Sequence, residues 1–276
     1  MNLSINGPKI LFKIPVGDLF TITITETVLA SCVVTWGLIL ACYLLGKNLK
    51  KRPDGRQVIV EKLVMMLYNM VEDTMGSHNM HYAPYIGALF LSSLFGSLIS
   101  TTGFFRSSTA DLSTTATWAI MTIVVVWASN IREQGILNWL KGFTEPIFVM
   151  TPMNIVSEFA TPVSMAFRHF GNVMGGSVLT TLIYAALALA SNALFGWLPG
   201  FLGNIPFLQV GIPAVFSAYF DFFSGAIQAL VFCMLSMVYI GMANPPRDEL
   251  GRTAYQAEKA AKKAAKMQAN AKNNLC

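Results

Sequence analysis

Between Lys141 and Arg247 the chain carries only four formal charges, Glu145, Glu158, Arg168 and Asp221, and the last three stand inside long apolar runs. In lipid every backbone N–H and C=O must be bonded within its own segment, so apolar runs of this length are read as helices. A charge at mid-bilayer costs roughly 2.5 to 3.5 kcal/mol on insertion scales, so an ionisable residue kept there is a functional hypothesis. This stretch keeps three.

With 54% hydrophobic and 12% charged residues and a mean hydropathy of +0.54, the 276-residue chain reads as a polytopic membrane protein with one membrane domain. The net charge of +5 lies in loops and a tail rather than on one face, which fits membrane orientation and not a nucleic-acid partner. Cys32, Cys42, Cys233 and Cys276 lack metal spacing, and the first three sit in apolar spans as small hydrophobes. No metal and no cofactor are expected. No basic region, short apolar core and cleavage site open the chain, so the first span is expected to be retained.

Residues 1–26 are expected to form an external, irregular segment containing a β-prone run, Phe20 to Thr25. Residues 27–246 form the membrane domain and 247–276 a basic cytoplasmic tail. Thr27 to Gly46 has about the 20 residues that cross a ~30 Å hydrocarbon core. The loop KNLKKRPDGR, next in the chain, holds five basic residues, which places it inside and the N-terminus outside. Gln57 to Met75 is amphipathic and is assigned to the cytoplasmic surface. Tyr82–Ser100 and Thr117–Ile131 are the next spans, the latter bounded by Trp118 and Trp127 as interfacial anchors.

Pro152 to Ser191 has no strong break and would run about 60 Å as a helix, twice a perpendicular crossing. A break at Gly175-Gly176 would put the basic tail outside, so a single steeply tilted crossing is expected. After an external turn, GWLPGFLGNIP, Val210 to Ala243 is a second overlong helix. The fold expected is all-α: five transmembrane helices plus an amphipathic surface helix, the last two long tilted helices forming a hairpin.

Helical spacing aligns Ser157, Thr161, Ser164, Arg168, Asn172 and Gly175 in one small, polar stripe, and Ser217, Asp221, Ser224 and Gln228 in another that can face it. Glu158 precedes Arg168 by ten residues, about 15 Å towards the inside, while Asp221 lies in the outer half of the descending helix. An outer acid, a central permanent cation and an inner acid are the inventory of two half-channels separated by a barrier. Arginine suits the barrier because it does not give up its proton. At 4 Å it attracts a carboxylate by about 4 kcal/mol at an effective dielectric of 20, enough to strip an ion from a facing carboxyl.

The run PVSMAFRHFGNVMGG, the final helix QALVFCMLSMVYIGMA with Gln228, Glu61 in VIVEKLV and Asp111 in TADLSTT together resemble subunit a of F-type ATP synthases. That resemblance implies a non-catalytic, ion-translocating subunit of a bacterial inner membrane, bound to a c-ring and to peripheral stalk subunit b. It implies a hairpin curving around the ring, with Arg168 facing the ring carboxylates and protons or Na+ passing through two half-channels. The implied ion pathway takes in Asp221, Glu158, Asn172, Gln228, Ser164, Ser177 and His169. The chain departs from the family where His169 replaces a leucine, Ser177 an acid or histidine, and Ser97 an asparagine, leaving Asp221 as the outer carboxylate.

Plainer readings stand beside these. Arg168 and Asp221 could staple two helices, Glu158 could anchor a helix at the interface, and His169 could be a packed histidine. Gly171, Gly175 and Gly176 read as packing glycines, and His78 and His81 as surface residues. A secondary ion transporter would show two related halves, and no internal repeat is present.

Overall fold

The computed structural model describes residues 10–16, 20–47, 49–51, 55–102, 106–144, 148–195, 215–216 and 219–246, with the single positions 257 and 261. The turn at 196–206 and almost all of the basic tail therefore lie outside the described residues, as do Glu145 and Ser217.

The described residues of the N-terminal segment form two strands, the second of them the β-prone run Phe20–Thr25. Strand β1 (Ile10–Val16) pairs antiparallel with β2 (Phe20–Thr25), with Val16 opposite Phe20 and Lys13 opposite Thr23. Alternating β-branched residues in FTITIT favour the extended form. Pro15, a breaker by propensity, is tolerated because both strands of a two-stranded ribbon are edges and one N–H can be missing.

Helices account for the rest of the described fold. They are α1 (Glu26–Gly46), α2 (Gly55–Met75), α3 (Ala83–Leu98), α4 (Leu112–Gln134), α5 (Ile136–Gly142), α6 (Thr151–Phe195) and α7 (Gly225–Ala243). Four helical stretches are long and apolar enough to cross a membrane: Glu26–Gly46, Leu112–Gln134, Thr151–Ser191 and Phe222–Ala243. With the apolar composition, they make this an integral membrane protein. The expected span at 82–100 is the 16-residue α3, extended by a 3-10 turn over Ile99–Thr102. Expected from Thr117, α4 starts at Leu112 instead, because Asp111 caps it and Thr114, Thr115 and Ala116 continue the helix.

The final helix also differs from the expected Val210–Ala243. Its described part has Val215 and Phe216 in helix, then a π-helical turn, Tyr219–Ser224, and becomes α-helical at Gly225. Such a turn inserts an extra residue per repeat and rotates the faces of the helix beyond it. Nine residues of α7 are buried, Phe232, Cys233, Met237 and Ile240 almost completely, and they pack with Ile86 of α3, Ile123 of α4 and Val71 and Met75 of α2. Among the described helices α7 is thus the centre of the packing, and α1, with only Thr27 and Ala30 buried, is its rim.

Two polar ties hold this packing. Beyond α7, Asn244 donates from Nδ2 to Asn79 Oδ1 at 2.5 Å, and its carbonyl lies 3.1 Å from Asn79 Nδ2 and 2.8 Å from His78 Nε2. At the other end of the bundle, Asp111 accepts from the backbone N–H of Ser113 at 3.0 Å and from Thr27 Oγ1 of α1 at 2.8 Å. Burial alone would push the Asp111 carboxyl up. The bonds from Thr27 and Ser113, with Arg106 nearby, outweigh it and hold the carboxyl below its ordinary value.

A carboxyl depressed in the folded state contributes fully above its unfolded pKa and loses that contribution as pH falls through the folded value. Asp111→Ala is expected to cost about 0.5 to 2 kcal/mol of stability at neutral pH, as helix caps do. Thermal denaturation of the purified complex should show this gap narrowing below about pH 4, the unfolded carboxylate range. A gap unchanged between pH 7 and pH 3 would remove Asp111 as a charged cap.

Candidate functional site

The site is organised by α6, a single helix of 45 residues that spans about 68 Å and runs through Gly175 and Gly176 without a break. One face is fixed by packing: Met165, Ala166, His169 and Gly176 are buried. A Cβ at Gly176 would stand 3.0 Å from Phe220 of the π-helical turn, so this glycine lets the two segments touch. Added Cβ atoms at Gly171 and Gly175 would meet nothing within 4 Å, so these two face open space.

Arg168 lies on the open face. It is exposed, as are Ser164, Gly171 and Gly175 on the same side, and Val163 and Phe167 flank it with more than half their surface uncovered. Among the described residues its guanidinium has no hydrogen-bond or ion-pair partner. One step along a helix is about a 100° rotation, so the position that turns Arg168 outward turns His169 inward. His169 is fully buried, with Nε2 3.3 Å from Ser93 Oγ and edge contacts to Trp118 at 5.9 Å and Phe232 at 5.6 Å. Its Nδ1 finds no partner among the described residues.

Where α6 meets the π-helical turn, the two polar stripes join. Asn172 Nδ2 donates to the Ser224 carbonyl at 3.2 Å, and Ser224 Oγ donates back to Asn172 Oδ1 at 2.9 Å. Asp221 belongs to this turn by its backbone; its side chain lies outside the described set. One turn further, Gln228 is buried, and its Nε2 is unpartnered among the described residues. Ser177 is exposed and spends its hydroxyl on the Met174 carbonyl at 2.8 Å.

Hydroxyls gather on the α3 side of the same turn. A Cβ at Gly225 would stand 3.0 Å from Ser97, whose Oγ is 3.2 Å from Thr109 Oγ1, itself 2.7 Å from Ser107 Oγ. Near them a cavity of about 270 Å³ is lined by Ser31, Thr35, Ser92, Ser108 and Thr117. Both lie towards the Asp111 end of the bundle.

At the opposite end Glu158 borders a cleft of about 410 Å³, with Asn130 and Gln134 of α4 and Trp139 of α5. Its Oε1 accepts from Trp127 Nε1 at 2.6 Å. Pro162, one turn on, has no N–H to give the Glu158 carbonyl. Sequence reasoning identifies Trp127 as a membrane anchor only; its partner is 31 positions away, and no local pattern announces that bond. The exposed His78 and His81 line a third cavity of about 450 Å³ with Arg132 and Glu133, and no cluster of metal-ligating side chains occurs among the described residues.

This arrangement can be set beside known proteins. Residues 28–241 match the family described as ATP synthase A chain. The chain is 31% identical over 265 residues to the ATP synthase subunit a, sodium ion specific, of Propionigenium modestum, covering 86% of this chain and 84% of that one. It is 32% identical over 240 residues to the ATP synthase subunit a of Streptococcus equi subsp. zooepidemicus, covering 83% and 95%. To ATP synthase subunit a 1 of Crocosphaera subtropica it is 31% identical over 221 residues, covering 79% and 86%. With the match running across nearly the whole helical domain, the chain belongs to the ATP synthase A chain family, the non-catalytic ion-translocating subunit a of F-type ATP synthases.

Proposed function

We propose that this subunit is the fixed half of a rotary motor, passing protons or Na+ to and from the carboxylates of a c-ring through two half-channels that Arg168 keeps apart. The observation that carries this reading is Arg168 itself, exposed on a long helix with no counter-charge among the described residues. A guanidinium in lipid needs compensation, and a mobile carboxylate on a partner ring supplies it. Gly171 and Gly175 leave that side free for close approach.

The Glu158 cleft serves as the inner mouth, and Asp221, Asn172 and Gln228, with the hydroxyls beside Gly225, as the outer one. Ser164 and Ser177 line the ring-facing side, and His169 sets the rotation of α6 beneath Arg168. Five crossings, counting α3, put the N-terminus outside and the C-terminal tail in the cytoplasm, with α2 along the inner surface beside peripheral stalk subunit b. The long α6 and the final helix then form the tilted hairpin that curves along the ring. The Propionigenium modestum relative is named sodium ion specific. Because the ring carboxyl binds the ion, the reading here covers protons and Na+ alike.

Arg168→Ala is expected to lower ATP-driven ion transport by about 100-fold or more in vesicles holding the assembled complex, since removing one preorganised charge typically costs that much. A wild-type rate would overturn the motor reading. Asp221→Asn should slow ion entry from outside several-fold, and unchanged uptake would count against it. Glu158→Gln should impair the inner side more weakly, read from the reactivity of cysteines introduced beside it towards aqueous thiol reagents. For the helix pair, a cycle of Asn172→Ala, Ser224→Ala and the double variant should give a coupling of about 1 kcal/mol in thermal inactivation. Additive losses would mean that the pair does not hold the helices together.

A further inference from the structure

The cleft beside Glu158 is built with more than an ion mouth requires. A passage for hydrated ions needs water-binding groups and one charge. Here the carboxylate, the carboxamides of Asn130 and Gln134 and the Ser157 hydroxyl stand against aromatic walls, Trp139 and Phe143, in about 410 Å³. The rings are part of a continuous series, with centroids 5.1 Å apart for Phe143 and Trp139, 6.1 Å for Trp139 and Trp127 and 6.0 Å for Trp127 and Phe159. The volume lies within the range of small-molecule sites, and the lining sets five polar side chains beside two aromatic rings.

We propose that this cleft binds a primary alkylammonium group. The Trp127 indole N–H occupies Glu158 Oε1, and Oε2 has no partner among the described residues, so the carboxylate presents one oxygen to a ligand. An ammonium has three N–H donors, and Glu158, the Ser157 hydroxyl and the carboxamide oxygens of Asn130 and Gln134 are acceptors among the lining residues. Its methylene stem would lie on Trp139 and Phe143, where a cation also gains from the ring faces. An inorganic cation is the poorer fit: a cleft this wide with one carboxylate cannot replace a hydration shell by direct oxygen contacts, and the rings add nothing for a hydrated ion. Free amines and the ammonium headgroup of an aminophospholipid share the chemistry. The binding rests on the cleft alone; its effect on transport rests on the reading of Glu158 as the inner ion mouth.

The test uses the intact complex in lipid nanodiscs, titrated with butylammonium and with neutral 1-butanol by ligand-observed NMR. Butylammonium is expected to bind about tenfold or more tightly than 1-butanol, to weaken about tenfold in Glu158→Gln, and to weaken several-fold in Trp139→Leu. Equal binding of the two probes, or wild-type affinity in both variants, overturns the site. Should Glu158→Gln fail to assemble, Trp139→Leu with the alcohol control decides alone. Discs of phosphatidylethanolamine against phosphatidylglycerol separate the sources: a weaker apparent affinity for butylammonium only in the former assigns the site to the lipid headgroup, and equal affinity assigns it to free amines. Inhibition of ATP-driven transport at the binding concentration supports both the site and the inner mouth. Binding with transport untouched keeps the site and overturns Glu158 as the inner mouth.

Discussion

The long helix α6 holds out a positive charge, Arg168, that the chain's own described residues do not neutralise. Two unit charges 4 Å apart attract by about 4 kcal/mol at an effective dielectric of 20 and by about 1 kcal/mol in water. An unpaired guanidinium on an apolar helix therefore exerts most of its pull on whatever carboxylate comes opposite. The packing on the far side of α6, with Met165, Ala166 and His169 buried, prevents the helix from rotating to hide it. A titratable base could escape by losing its proton, and arginine cannot. Under the proposed function, a partner that supplies and withdraws negative charge would complete the subunit.

The two ends of the bundle solve the problem of polar groups in lipid differently. Towards Asp111, serine and threonine hydroxyls bond to one another and to the Gly96 carbonyl, so hydroxyl polarity is shared among many small groups. Towards Glu158 a carboxylate is held by one indole, with the carboxamides of Asn130 and Gln134 lining the cleft beside it. The π-helical turn sits between these regions and lets Ser224 reach Asn172 while Gly225 approaches Ser97. A regular α-helical turn would present its side chains at other angles, so the irregularity is placed where three segments must meet.

Much of this is legible in the sequence because it is local. Apolar runs mark the helices, and three- and four-residue spacing puts Arg168 beside Ser164 and Gly175 on one side of α6. The unbroken course through Gly175 and Gly176 is inferred from charge parity rather than helix propensity, and the 45-residue helix has that course. The features that escape a sequence reading depend on contacts between distant segments. The Trp127 bond to Glu158, the burial of His169 against Trp118 and Phe232, and the setting of Asn79 against Asn244 leave no periodic trace. Of the β1–β2 ribbon, β2 is legible as the β-prone run Phe20–Thr25, whereas β1 escapes because Pro15 weighs as a breaker in the sequence, where an all-edge ribbon has room for one.

That α7, which follows the other described helices in the chain, is also the central one has a bearing on biogenesis. Chains are threaded into the membrane from the N-terminus, so α3 and α4 arrive before the segment that buries Ile86, Ile123 and their hydroxyl-bearing neighbours. Until α7 emerges, those surfaces can only meet lipid or an insertion factor, and the Asn79 carboxamide has no Asn244 to meet. The packing of α3 and α4 is consequently complete only once α7 has been made. A chain that stops short of α7 lacks the helix against which Ile86 and Ile123 are buried.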